Sequence, residues 1–126
     1  MHRSQLAGFI IDCQKGSLEE AARFWGKALG LPVRPSRNAE DVNYVIFDTG
    51  PDGLDIEVQK VEHESRVHLD IETDDIEAEV DRLVRLGAKR VKKYDRWWVL
   101  EAPTGQRFCV VRNTRADFAK EANVWE

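Results

Sequence analysis

Cysteine is scarce in this chain: Cys13 and Cys109 are the only two among 126 residues. A disulfide framework is therefore not what organises it. Two thiols behind an N-terminus with no export-type leader point to a reduced, cytoplasmic setting. Long hydrophobic runs are missing too. No stretch approaches the roughly 18–20 apolar residues that a bilayer-spanning helix needs, so no membrane partner is expected. Basic excess is also absent. Lys and Arg number 19 against 23 Asp and Glu, a net charge of -4, and no basic stripe is long enough to track a phosphate backbone. Nucleic acid is not an expected partner. The chain also lacks a Gly-rich phosphate loop, a nucleophile elbow and a C-x-x-C pair. What remains is 42% hydrophobic and 33% charged residues, enough for one domain with its own core over residues 1–126.

Two helices announce themselves. Ser17 stands three residues before Glu20, a capping box in which the hydroxyl accepts from the Glu20 backbone N–H. Leu18, Ala21, Ala22, Trp25, Ala28 and Leu29 then follow helical spacing, predicting one buried stripe, and Gly30 supplies a left-handed stop. A second helix is predicted from a cap at Asp74, with Glu77 three residues on. It buries Ile76, Val80, Leu83 and Val84 and stops at Gly87. The two share a register: Ser17, Glu20, Ala21, Leu29 and Gly30 recur as Asp74, Glu77, Ala78, Leu86 and Gly87 at a constant spacing of 57. An internal repeat of this kind implies a duplicated unit. The pattern P-x-G-x-x-apolar-x-V, at Pro51–Val58 and again at Pro103–Val110, extends the repeat to a later strand of each half.

Period-2 alternation predicts strands at Ala7 to Asp12, Val42 to Asp48, Leu54 to Lys60, Val67 to Glu72, Arg96 to Glu101 and Arg107 to Val111, with weaker ones at Leu31 to Arg34 and Lys89 to Lys93. Each half thus reads strand, helix, three strands. The expected class is α+β: two βαβββ modules, about residues 6–60 and 66–112, forming a cupped mixed sheet with helices on the outer face. A polar tail follows at 113–126, where Phe118, Ala122 and Trp125 share one helical face. This predicts a short helix packing on its own domain or against a second subunit.

Strand parity assigns directions. If Leu54, Ile56 and Val58 lie under a helix, Glu57 faces the other way. The same logic turns His68 and Asp70 away from Val67, Leu69 and Ile71, and Cys109 away from Phe108 and Val110. Asp12 joins that second face, together with Gly8 and Ile10. Trp97 and Trp98 point to opposite faces, so one of them reaches the cup, and Trp98 is assigned to it as a flat surface for a ring-bearing ligand. The candidate ligand-binding residues are therefore Glu57, His68, Asp70, Cys109, Trp98 and Asp12. His68 and Glu57 are the candidates for catalysis, His68 because imidazole titrates near neutrality.

The paired βαβββ pattern, Phe24-Trp25 ahead of Ala28-Leu29-Gly30, the strand Val67-His68-Leu69-Asp70-Ile71, Leu86-Gly87-Ala88, and Ala102-Pro103-Thr104-Gly105-Gln106-Arg107-Phe108-Cys109-Val110 together resemble the vicinal-oxygen-chelate superfamily. That group holds glyoxalase I, extradiol dioxygenases, fosfomycin-modifying enzymes and bleomycin resistance proteins. The resemblance is strongest to its glyoxalase-like branch and covers about residues 6–112. It implies a small-molecule pocket, a homodimer and, in the metal enzymes, a ligand from the first and last strand of each half. Those positions fall on or near Gly8, and on Glu57, His68 and Cys109. Glycine offers no side chain, and Cys109 stands where the metal enzymes usually carry Glu, so the expectation is a metal-free pocket binding a small organic molecule. The alternative is a metal-dependent lyase, isomerase or dioxygenase in which Glu57, His68 and Cys109 hold zinc or another divalent ion.

Overall fold

In the computed structural model, which describes residues 1–35 and 43–126, eight strands and three helices form the expected mixed α+β architecture, with parallel and antiparallel strand pairs. In chain order they are β1 (His2–Cys13), α1 (Leu18–Leu29), β2 (Tyr44–Phe47), β3 (Asp55–Lys60), β4 (Arg66–Thr73), α2 (Ile76–Arg85), β5 (Lys89–Lys93), β6 (Trp97–Glu101), β7 (Arg107–Arg112), α3 (Phe118–Glu121) and β8 (Asn123–Trp125). They divide into two compact units, Gly8–Val67 and the remainder, Met1–Ala7 with His68–Glu126. Val42, the first residue of one predicted strand, lies outside the described residues.

In the Gly8–Val67 unit, α1 starts at its predicted cap, with the Ser17 hydroxyl accepting from the Glu20 N–H at 3.0 Å, and ends at Gly30 with φ 70°. The second half of β1 runs parallel to β3, which pairs antiparallel with β2. Phe47 and Val58 are fully buried, and Gly26 of α1 lies close against the Phe47 ring. The predicted helical stripe is only half realised. Leu18, Ala21, Ala22 and Trp25 are partly buried, but Ala28 and Leu29 are exposed. The weak strand expected at Leu31 to Arg34 is reduced to one bridge, Val33 to Phe47. Gly8 has a steric reason. It pairs with Asp55, and a Cβ there would collide with the Asp55 backbone carbonyl.

In the other unit, β4 runs parallel to β7, which pairs antiparallel with β6, and β6 with β5. Val80 and Leu83 of α2 pack with Ala88, Leu100 and Val110, and around them lie Ile71, Ile76, Val84, Trp98 and Phe108. Two sequence expectations need correction. The α2 cap is Asp75, whose carboxylate accepts from the Ala78 N–H at 3.1 Å. Asp74 accepts instead from the Arg3 N–H at 2.8 Å, drawn to the start of β1. Trp98 lies on the α2 side and donates from its indole to Glu77 at 3.2 Å, so it does not belong to the opposite face. Trp97 takes that side, stacked on Tyr94 with ring centroids 4.6 Å apart.

The tail also departs from its prediction. Phe118 and Ala122 are buried as expected, but α3 is a single turn, and Trp125 lies in β8, antiparallel to the start of β1. Its indole donates to the Ser4 hydroxyl at 2.8 Å, and the Arg82 guanidinium lies 3.9 Å from its ring centroid. Arg82 in turn grips fully buried Glu79 through two hydrogen bonds of 2.8 Å, and His2 meets the same carboxylate at 2.8 Å. Burial opposes the ionisation of Glu79. The hydrogen bonds from Arg82, His2 and Ser4 outweigh it and hold the carboxyl below its ordinary range.

Two outcomes follow. Trp98→Ala empties part of the α2 core and should cost about 3–5 kcal/mol in urea unfolding, whereas Trp97→Ala should cost under about 1 kcal/mol. Because the folded-state pKa of Glu79 is depressed, its contribution is present above the ordinary carboxylate range and is lost as pH falls through the folded value. Stability followed by urea midpoint against pH should therefore fall less steeply on the acid side in Glu79→Gln than in the parent chain.

Candidate functional site

The register of β4, β7 and β6 decides which side chains share a face. Ile71 pairs with Val110, and Val110 with Trp98, and this row lies on α2. One residue away on each strand, Asp70 pairs with Cys109 and Cys109 with Val99, so this row faces the opposite way. His68, two residues before Asp70, has the same parity. Next along the face come Glu72, Val111 and Trp97, which are in register with one another.

His68, Asp70 and Cys109 are all partly buried, and one ligand-type atom of each lies within 4.8 Å of the other two. The His68 Nε2 is 3.4 Å from the Asp70 Oδ1. That oxygen is shielded from solvent, yet no hydrogen bond reaches it. The Asp117 Oδ1 of this unit is in the same state, whereas fully buried Glu72 accepts from the Gln5 amide at 2.7 Å and Glu79 is held by Arg82 and His2. A buried acceptor left without a hydrogen bond is costly and calls for an explanation.

Glu57 lies on β3 in the Gly8–Val67 unit, on the side away from α1, in register between Ile10 and Ile46. Asp12, buried, faces Arg66 at 3.8 Å and His63 at 3.9 Å. It borders a concavity of about 460 Å³ within that unit, lined mainly by Ile11, Phe24, Trp25 and Val67. Cys13 lies there too, its thiol pushed up from the usual range first by burial and then by the charge of Asp12. Neither Cys13 nor Cys109 is in a disulfide.

Of the six residues proposed from sequence, the structure thus brings His68, Asp70 and Cys109 together, keeps Glu57 and Asp12 in the other unit and sends Trp98 to the core. Val99 and Trp97 are the neighbours that sequence reasoning did not select. Both follow from the β6–β7 register, which alternation alone does not reveal.

The metal-free pocket is the expectation drawn above and a metal its alternative, and the donors gathered here suit an ion of zinc type. A tetrahedral zinc ion, with bonds of about 2.0–2.3 Å to nitrogen, oxygen and sulfur, sets its ligand atoms about 3.3–3.8 Å apart. The imidazole–carboxylate separation already falls in that range. Imidazole, carboxylate and thiolate are all accepted by zinc, whereas thiolate disfavours magnesium and calcium.

Comparison with known proteins agrees with this geometry at the level of the fold. The structure is similar to methylmalonyl-CoA epimerase from Mycobacterium tuberculosis, with TM-score 0.63, 14% identity, and 86% of this chain and 87% of that one covered. A glyoxalase/bleomycin resistance protein/dioxygenase superfamily member from Vibrio splendidus matches with TM-score 0.54 and 17% identity, over 90% of this chain and 100% of that one. An extradiol ring-cleaving dioxygenase from B. fuscum matches with TM-score 0.57 and 14% identity over 87% of this chain, but only 32% of its own length. No curated protein sequence matches the chain. Among the described residues no helix is long and apolar enough to cross a membrane. The profile of the glyoxalase-like domain matches residues 8–111, and the chain belongs to that family.

Proposed function

We propose that this chain binds a small organic molecule on the face of β4, β7 and β6 turned away from α2. The observation that supports the reading is the convergence of His68, Asp70 and Cys109 beside Val99, Val111 and Trp97. A few polar groups in an apolar surround are what fix the orientation of a small ligand. His68 offers a hydrogen bond or a proton, and the Asp70 Oδ1 lies 3.4 Å from its Nε2. Trp97 and Val99 supply apolar contact. Structural neighbours suggest which chemical classes to try, since one is a methylmalonyl-CoA epimerase and another an extradiol ring-cleaving dioxygenase. A cytoplasmic location and a homodimer belong to the same reading, and the two free thiols suit a reducing compartment.

The second reading is a metal-dependent lyase, isomerase or dioxygenase. One observation favours it, the fit of the three donors to a zinc-type ion. Bound there, such an ion would polarise a substrate oxygen as a Lewis acid. His68, Asp70 and Cys109 would hold it. Glu57, which the resemblance adds to that set, stands on β3 of the other unit.

The test is a chemical-shift map on isotope-labelled protein, with short acyl thioesters, 2-oxo acids and catechols as probes. At least one class should move the resonances of His68, Asp70, Val99 and Cys109 together, and His68→Ala should weaken that probe on the order of ten-fold, the loss of one hydrogen bond to a charged group. Shifts confined to residues around Trp25, or none with any class, would overturn the reading.

A further inference from the structure

We infer that Lys89 and Lys92 of the edge strand β5 form an anion site on the candidate face, so that the molecule bound there is an organic anion, a carboxylate or a phosphate ester. The inference rests on the reading of that face as the ligand-binding one, and it deepens the reading by naming the charge of the ligand and the residues that select it.

Cations are concentrated in this part of the chain. Five of the 19 Lys and Arg fall within residues 89–96, with Asp95 the one carboxylate among them, although the chain as a whole carries a net charge of -4. Simple alternation would send Lys89 and Lys92, three residues apart, to opposite faces. A β-bulge changes that. Lys89 pairs with Glu101 and Arg90 with Leu100, but Lys92 pairs with Val99 and Lys93 with Trp98, so Val91 is an extra residue that resets the parity. Arg90 and Lys93 therefore share the α2 face with Leu100 and Trp98, while Lys89 and Lys92 share the face of Val99 and Cys109.

The two pairs of cations have different surroundings. On the α2 face Arg90 meets Asp81 at 2.6 Å and Lys93 meets Glu77 at 3.2 Å. On the other face no carboxylate among the described residues pairs with Lys89 or Lys92, and Glu101, opposite Lys89 in the register, is held by Arg107 at 3.1 Å. The Lys92 ammonium lies instead 4.8 Å from the centre of the Tyr94 ring, which is stacked on Trp97. A ring face orients an ammonium without neutralising it, so the charge remains for a ligand. Two neighbouring cations repel each other, and an anion held between them relieves the repulsion.

Lysine on a sheet edge also discourages edge-to-edge pairing. That role accounts for charge on β5 but not for the aromatic pair beside it, since Tyr94 is 38% and Trp97 37% exposed. Apolar surface next to an uncompensated cation is what an organic anion needs. The register also gives such a ligand a direction. Lys92, Val99, Cys109 and Asp70 are successive partners in one row across β5, β6, β7 and β4. At about 4.8 Å between strands the row is about 14 Å long. Lys92 attracts an anionic group at one end and Asp70 repels it at the other. Val99 and Trp97 then cover the apolar body, and the uncharged end of the ligand reaches His68.

The test is a chemical-shift titration of the full chain at low ionic strength with benzoate, phenyl phosphate and, as a neutral counterpart, benzyl alcohol. At least one of the two anions should bind about five-fold more tightly than benzyl alcohol, the scale of one exposed ion pair, and move the resonances of Lys92 and Val99. The stronger of the two tells carboxylate from phosphate, and the preference should shrink as salt is raised. Lys89→Met and Lys92→Met should each weaken the anion about three-fold and leave benzyl alcohol unchanged, and the double variant should bind both alike. Lys93→Met, on the α2 face, should keep the preference, with circular dichroism confirming that each variant is folded. A neutral probe bound as tightly as both anions, a preference that survives loss of both lysines, or one lost equally in Lys93→Met would overturn the assignment. Benzyl alcohol that shifts His68 and Val99 while the anions gain nothing would leave the ligand-binding reading standing when this one fails. Anions that shift Lys89 and Lys92 while no probe moves His68 or Asp70 would do the reverse.

Discussion

One parallel ladder, β4 against β7, is the constraint from which both the core and the candidate site of the second half follow. A β-strand sends successive side chains to opposite faces, so a single register fixes two surfaces at once. Ile71 beside Val110 is buried under α2, and that burial stabilises the sheet. The same pairing sets Asp70 beside Cys109 on the other face. Slipping β4 by one residue would put a carboxylate and an imidazole under α2 and expose the apolar row. The hydrophobic effect, at about 25 cal/mol per Å² of apolar surface removed from water, therefore also enforces the polar arrangement.

Much of this was legible in the sequence, and the reasons are local. The Ser17 cap, the Gly30 stop and the alternation around His68 and Cys109 each depend on a few adjacent residues, and each appears where its pattern puts it. What failed depends on partners distant along the chain. Trp97 and Trp98 alternate whichever of them faces the core, and only pairing with β7 makes the choice. Trp125 fits a helical face with Phe118 and Ala122, but its indole finds the hydroxyl of Ser4 at the far end of the chain, and a strand forms there instead. Asp74 and Asp75 are both competent caps. Arg3 recruits the first, leaving the second to start the helix.

The duplication seen in the sequence is also less exact in three dimensions. Among the described residues the second half has three strands after its helix, whereas the first has two strands and an isolated bridge. Its helix α1 has no fully buried residue, while α2 buries Val80 and Leu83 against a defined cluster. The half with the better-packed helix is also the half that carries His68, Asp70 and Cys109. A site that must hold donors to within tenths of an ångström gains from a rigid layer beneath it, and Val110 and Ile71 supply that layer directly behind Cys109 and Asp70.

Gly8 adds a steric side to this asymmetry. The first-strand ligand position implied by the family resemblance falls on or near it, and Gly8 lies so close to the Asp55 carbonyl that no Cβ fits. A histidine or glutamate there would have to displace β3 before it could offer a donor. The close approach of two backbones thus acts as a lock, closing the position to any side chain while β1 and β3 stay paired.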